Sequence, residues 1–216
     1  MVKPSGEHAD SDHDTEQRIL DAAHAVFMRR GTAGARTQEI ADEAGVNKAL
    51  LHYYFRTKDR LAEAVFQRAA RQLLPPVIAT LSSDESIQHK VPRVVELELD
   101  TLTRMPFLPG YLISEAHHHP ERIRRLVDAA TDGASGFAGP MLAKLQAQLD
   151  AEAAAGRLRP IAAHQFTLNL LSLCIFPFAA SPLLTVILGW RADDFADLIA
   201  ERKRTLPEFF LAGLRP

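Results

Sequence analysis

The sequence has one cysteine in 216 residues, Cys174. A lone thiol excludes an intrachain disulfide and a cysteine-rich zinc site, and it suits a reducing, cytoplasmic setting. An excess of charge of one sign is also missing, since 25 Lys and Arg stand against 27 Asp and Glu. The chain is therefore no polycation drawn to nucleic acid by bulk charge, and any DNA binding must come from local placement. No run of alternating residues flanked by hairpin turns occurs, which argues against strands. The sequence also lacks a nucleophile triad, a phosphate loop and a zinc signature. No catalytic residue, bound metal or cofactor is therefore expected, and the chain is not read as an enzyme. The opening stretch, MVKPSGEHADSDHD, has no apolar run of the signal-peptide kind and reads as a disordered arm over residues 1–13.

What is present is apolar content, 47% of residues, enough to fill a sizeable core. Almost every segment past the arm has helical period, so the expected fold is all-α. The first helix places Ile19, Ala22, Ala23, Val26 and Phe27 on one stripe, with Asp14 as its cap and Gly31 as its stop. Two short helices follow, about 37–44 and 48–55, and then a long one from Lys58 that should kink or break at Pro75-Pro76. Further helices are expected near 85–104, 107–118, 120–155 with an interruption at 133–139, 160–179 and 194–212. The run Phe166 to Trp190 is long enough to span a bilayer, but Asn169, Ser172, Pro177, Ser181 and Pro182 interrupt it. It reads as a buried helix pair and not as a membrane segment.

The informative stretch is Thr37 to Phe55, TQEIADEAGVNKALLHYYF. Thr37 can cap the first helix, Ile40 and Ala44 face a core, and Ala41 is small where two helices cross. Gly45 permits a left-handed turn, Val46 plugs the gap beneath, and Asn47 caps the second helix. Leu51 and Phe55 then point inward, while Lys48, Ala49, His52 and Tyr53 fall on the outer face that a major groove would meet. Between residues 12 and 66 acidic residues slightly outnumber basic ones, but Arg36, Lys48, Arg56 and Lys58 flank this second helix. Arg29 and Arg30 read as a solvated helix end.

In order and spacing, Ile19 to Gly31, Thr37 to Phe55 and Lys58-Asp-Arg-Leu61 resemble the DNA-binding domain of the tetracycline-repressor (TetR) family. That resemblance implies a helix-turn-helix domain over 14–57 and a ligand-binding and dimerisation domain over 58–216. By position it implies that Lys48, Ala49, His52 and Tyr53 read or line the groove, and that Thr37, Tyr54 and Lys58 contact phosphates, with Arg36 and Arg56 beside them. The family more often has Tyr where His52 stands and a small or hydroxyl residue where Leu50 stands. The implied partners are a double-stranded DNA operator, an apolar small-molecule effector and a second copy of the chain.

For the sensing half, Phe107, Tyr111, Phe137, Met141, Phe166, Leu170, Cys174 and Phe178 recur at helical spacing on separate helices, so they are candidates to line an apolar cavity. Leu168, Leu171, Ile175, Phe195, Leu198, Ile199 and Phe209 offer an apolar surface for a dimer. Glu115 and His118 lie three apart on one face, as in the carboxylate-histidine pairs of di-iron bundles, but that chemistry needs a second pair and none is found. A single divalent ion beside an effector, or a histidine-capped helix end before Pro120, are the readings left. Two functional classes follow: a ligand-responsive DNA-binding repressor, or a helical ligand- or metal-binding protein whose helix-turn-helix is structural.

Overall fold

The computed structural model describes residues 7–131, 136, 138–189 and 191–216, and everything described in it is helix, turn or loop. The helices are α1 (Glu7–Gly34), α2 (Thr37–Glu43), α3 (Lys48–Phe55), α4 (Lys58–Ser82), α5 (Ile87–Arg104), α6 (Leu108–His118), α7 (Pro120–Ala130), α8 (Ala138–Ala154), α9 (Ala163–Ala179), α10 (Ser181–Leu188) and α11 (Ala192–Ala212). They fall into two compact units that divide inside α4, between Arg68 and Ala69. The expected boundary at 57/58 falls short of this, because Leu61, Ala62, Val65 and Phe66 of α4 are buried with the first unit's residues.

In the first unit the expected stripe of α1 is the core: Ile19, Ala22, Ala23, Val26 and Phe27 are all essentially inaccessible, as are Ile40, Ala41 and Leu51. The helix starts at Glu7, not at an Asp14 cap. Asp12 and Asp14 therefore lie inside α1, past its first turn. The Tyr54 hydroxyl also donates to Asp12 at 2.9 Å, tying that part of α1 to the end of α3. At Gly31 the helical path breaks as expected (φ 66°, ψ 168°).

The second unit is built on α5, which packs against both α9 and α11. Helix α4 runs on through Pro75-Pro76 to Ser82 without the expected break. The two prolines leave only the carbonyls of Arg71 and Gln72 without their usual intrahelical donors. The run from Phe166 is buried in its first part only. Helix α9 hides Phe166, Leu170, Cys174 and Phe178, but α10 buries none of its residues and leaves Leu183, Val186, Ile187 and Leu188 exposed. Pro182 does not simply end a helix; it stands in the first turn of α10, where its missing N–H costs nothing. Among the described residues no single helix is long and apolar enough to cross a membrane; α9 and α10 pass such a test only as a pair bent by 68°.

Three polar side chains are buried on α5, Lys90, Glu98 and Thr101, and the two ionisable ones are treated differently. Lys90 gives its three ammonium donors to the carbonyls of Leu81 and Ser83 and to Gln148 Oε1. Burial lowers its pKa, helped by the nearby Lys144 charge and opposed by Asp84 and Glu85. Glu98 has a buried oxygen, Oε2, with no hydrogen-bond partner, and burial pushes its carboxyl from an ordinary 4.5 up to about 7. The carboxyl raises the Cys174 thiol and Arg202 lowers it, but burial dominates and carries the thiol up to about 12, so Cys174 holds no thiolate at neutral pH.

A raised carboxyl pKa stabilises the fold while the group is protonated. The contribution is complete below about 4.5 and is lost as the pH rises through about 7. A rise of this size corresponds to about 3 kcal/mol. Thermal melts from about pH 5 to pH 8 should therefore show the native chain losing stability relative to Glu98→Gln, which cannot ionise. Melting curves that stay parallel for the two proteins would show that Glu98 does not titrate in this range.

Candidate nucleic-acid interface

The geometry of α2 and α3 follows from the four residues between them. Gly45 takes φ +63°, a conformation that a side chain would strain. The amides of Ala44, Gly45 and Val46 turn back onto the carbonyls of Ile40, Asp42 and Ala41. Asn47 then starts α3 by accepting a 2.7 Å bond from the Leu50 amide, the capping role expected of it. Thr37 does not cap α2. The cap position belongs to Arg36, which makes no side-chain capping bond, and Thr37 is the first helical residue. The extended backbone of Arg36 (φ −108°, ψ 139°) puts the chain's entry one residue earlier than the side-chain chemistry suggests.

Three arginines of α1 to which the sequence assigns no structural role fix this corner. Arg18 on α1 donates to the carbonyl of Ala44 at 2.8 Å and to that of Gly45 at 3.4 Å. Arg29 pairs with Glu43 at 2.7 Å, and Arg30 with Glu39 at 3.5 Å, so neither is a bare solvated charge. These pairs offset the acidic side of α2, which would otherwise repel a phosphate backbone. No local spacing marks Arg18 as the partner of a carbonyl 26 residues away.

Leu51 and Phe55 turn inward, and Lys48, Ala49, His52 and Tyr53 lie exposed on the opposite face, Tyr53 at 72%. The His52 ring donates from Nδ1 to the Arg56 carbonyl at 2.9 Å, which leaves Nε2 facing outward as an acceptor when the ring is neutral. The side chains of Lys48, Arg36 and Arg56 are exposed, and none makes a hydrogen bond or ion pair among the described residues. Two other residues proposed for phosphates are already engaged. Lys58 donates to the carbonyls of Ala33 and Ala35, both at 3.2 Å. The Tyr54 hydroxyl donates to Asp12, and that bond is the main cause of its raised pKa.

Arg56 is the non-glycine residue with positive φ among the described residues (φ 57°, ψ −52°). The Thr57 amide reaches back to the Phe55 carbonyl at 2.5 Å, closing a tight three-residue turn around it. Such turns are rare for residues with a side chain and cost on the order of 1–3 kcal/mol.

In the second unit a cavity of about 390 Å³ lies between α5, α9 and α11, walled by Leu99, Pro106, Phe178, Phe195 and Ile199. Of the eight residues expected around an effector, Phe178 alone lines it. Phe166, Leu170, Cys174 and Met141 are buried core, and Phe166 meets Phe210 edge to face. Phe107 and Tyr111 are half-buried, and Phe137 lies outside the described residues. Of the expected dimer surface, Leu168 and Phe209 are exposed, and Leu171, Ile175 and Leu198 are half-buried. Ile199 is buried against the cavity, and Phe195 meets Phe178 edge to face, so neither is spare apolar surface. Among the described residues no group of three His, Cys, Asp or Glu could hold a metal ion. Glu115 pairs with Arg122 at 3.2 Å, and His118 donates from Nδ1 to the Ser114 carbonyl.

A capped helix presented across a glycine turn, with its outer face free, defines the class: a helix-turn-helix protein. Residues 19–65 match the family model described as bacterial regulatory proteins, tetR family. The chain is 33% identical over 126 residues to the HTH-type transcriptional repressor SCO4008 of Streptomyces coelicolor, across 55% of this chain and 64% of that protein. It is 31% identical over 84 residues to the HTH-type nicotine-responsive transcriptional repressor HdnoR of Paenarthrobacter nicotinovorans, across 39% of this chain and 43% of that protein. Both matches span less than two thirds of the relative's length. The TetR family regulator PfmR of Thermus thermophilus shares the fold, with a TM-score of 0.64 at 19% identity over 92% of this chain and 100% of that one. Residues 19–65 thus match the tetR-family model, and the chain is similar to TetR-family regulators in sequence over about half its length and in overall helical fold.

Arg56→Gly should separate fold from function. Relief of the strained turn should raise stability by up to about 1 kcal/mol, read by chemical denaturation. Loss of the exposed guanidinium should at the same time weaken binding to any duplex DNA. A variant that is less stable than the native chain would show that the turn carries no strain.

Proposed function

We propose that this protein is a dimeric DNA-binding transcriptional repressor, released from its operator by a small apolar molecule. The observation that carries the first part is the free face of α3: Lys48, Ala49, His52 and Tyr53 stand exposed on a helix whose start is fixed by Asn47 and Gly45. In this reading those four residues face base edges in the major groove. Arg36, Thr37, Tyr54, Arg56 and Lys58 lie toward the phosphates. Tyr54 has to leave Asp12 to do so, and Lys58 has one donor beyond the two given to Ala33 and Ala35.

Base and phosphate contacts fail differently. Lys48→Ala should cost about 1–3 kcal/mol on the operator and little on random DNA, because a base contact counts only where the right base stands. Arg36→Ala should weaken both alike and lower the salt dependence of binding by about one unit of slope. Arg36 is the cleaner probe than Lys58, whose removal would also unpin the backbone at Ala33 and Ala35. Equal losses on both DNAs for the Lys48 variant would remove it from the base-reading set.

One recognition helix reads too few base pairs for specific binding, so two copies engage half-sites roughly 34 Å apart or a multiple of that. Leu168 and Phe176 on α9 and Phe209 on α11 are each more than half exposed, which leaves apolar surface for a second copy to cover. Leu168→Asp should leave the subunit folded, split the dimer in sedimentation, and abolish operator binding with it. A monomeric variant that keeps full operator affinity would refute the dimer.

Release follows by linkage: an effector shifts the equilibrium only by preferring the state that does not fit DNA, and DNA weakens the effector in return. Helix α4 is the segment common to both units and is the connection through which such a preference acts.

A further inference from the structure

The cavity between α5, α9 and α11 has one polar feature that its apolar walls do not explain. Lys203 on α11 pairs with Asp100 on α5 at 2.8 Å, and both side chains line the cavity while remaining 38% and 48% exposed. The pair therefore stands where the cavity meets solvent. The rest of the wall is Leu99, Pro106, Phe178, Phe195, Ile199 and the small residues Ala196 and Ala200. A volume of about 390 Å³ is within the range of sites for small organic molecules.

The ion pair narrows what such a molecule can be. Lys203 has two ammonium donors left after Asp100, and Asp100 has its second oxygen left as an acceptor. The two charges cancel at a distance, so the mouth offers a donor beside an acceptor with almost no net field. A carboxylate drawn to Lys203 is repelled by Asp100, and an ammonium meets the reverse. Either ion also pays to leave water for an apolar cavity. A neutral group that both donates and accepts uses both partners and loses least. Thr103, at the same edge, gives its hydroxyl proton to the Leu99 carbonyl and so adds only acceptor capacity.

We propose that this cavity binds a neutral aromatic or branched apolar molecule bearing a hydroxyl or amide, its apolar body against Phe178, Phe195 and Ile199 and its polar end on Asp100 and Lys203. The inference rests on the reading of the second unit as the sensing part, and it names the ligand chemistry of that part.

Three probes on one skeleton test it: naphthalenemethanol, naphthoate and naphthylmethylammonium, titrated by calorimetry into the full chain without DNA. The alcohol should bind roughly tenfold tighter than either ion. Lys203→Met leaves Asp100 alone and should move the preference to the ammonium, whereas Asp100→Asn should move it to naphthoate. Both changes are at half-exposed positions, so the fold should survive them. Ala196→Phe, at an exposed position on the cavity wall, should abolish binding of all three. The inference is overturned if none of the three binds at millimolar concentration, if all bind equally, if the rim variants leave the order unchanged, or if Ala196→Phe still binds. The same proteins titrated against labelled operator separate the two ideas. Binding in the expected order without operator release supports the site and refutes effector control. Operator release by a compound that acts equally on Ala196→Phe overturns this cavity as the sensing site and leaves effector control standing.

Discussion

The geometry of the helix-turn-helix depends on one corner, the turn at Ala44–Asn47, and on the guanidinium of Arg18 that holds its carbonyls. A helix-turn-helix is useful only if its second helix leaves the first at a fixed angle. Here three constraints set that angle: the positive φ of Gly45, the Asn47 cap, and the inaccessible Ile40, Ala41 and Leu51 beneath. The apolar contacts stabilise the crossing but tolerate sliding. The cap and the Arg18 bonds are directional and remove that freedom. The surrounding ion pairs of Arg29 and Arg30 take two carboxylates out of the electrostatic balance, so a domain with no net positive charge still leaves Arg36, Lys48 and Arg56 unopposed around α3.

The second unit solves a different problem, that of polar groups inside an apolar wall. Lys90 is a fully satisfied cation that clamps the end of α4: it gathers the carbonyl of Leu81 in the last turn and that of Ser83 just past it, and Gln148 of α8 also donates to the Ser83 carbonyl. Glu98, two turns along the same helix, has no such partner for Oε2, and Arg202 of α11 has a buried Nε without one. A core built only for stability would pair or replace these groups, since an unsatisfied buried polar atom costs about 1–3 kcal/mol. Both groups belong to the helices that wall the cavity. The helices that wall the cavity proposed to hold a ligand thus also carry buried polar atoms that the protein itself leaves unpaired.

Much of the first unit is legible in the sequence because its determinants are local. Gly45, Asn47 and the spacing of Ile40, Leu51 and Phe55 each act within a few residues, and each does in the structure what its type suggests. The errors there are small and also local: Arg36 rather than Thr37 at the cap of α2, and a first helix that begins before Asp14. Proline is the misleading signal. Pro182 reads as a stop and is a start, and Pro75-Pro76 reads as a break within a helix that continues. The reason in each case is that proline forbids a donor and not a helix; its effect depends on whether the donor was needed.

The cavity is not legible in the same way, and periodicity cannot make it so. Helical spacing identifies Phe178, Phe195 and Ile199 as apolar, but it does not say whether a given apolar face meets its neighbour, a second copy or empty space. Spacing alone sends Ile199 to a dimer surface, yet it is buried beside the cavity; it sends Phe166 to a cavity, yet that ring is core. What decides is the small size of Ala196 and Ala200 on α11 opposite Leu99 on α5, a complementarity between segments about a hundred residues apart in the chain. The same two alanines look in the sequence like ordinary helix formers. A gap of this kind is also the easiest place for specificity to change, since a larger side chain at either position alters the cavity and leaves the helix intact. The proposed readout of DNA is tied to a corner with three interlocking constraints, whereas the proposed ligand chemistry is tied to one ion pair and two small residues.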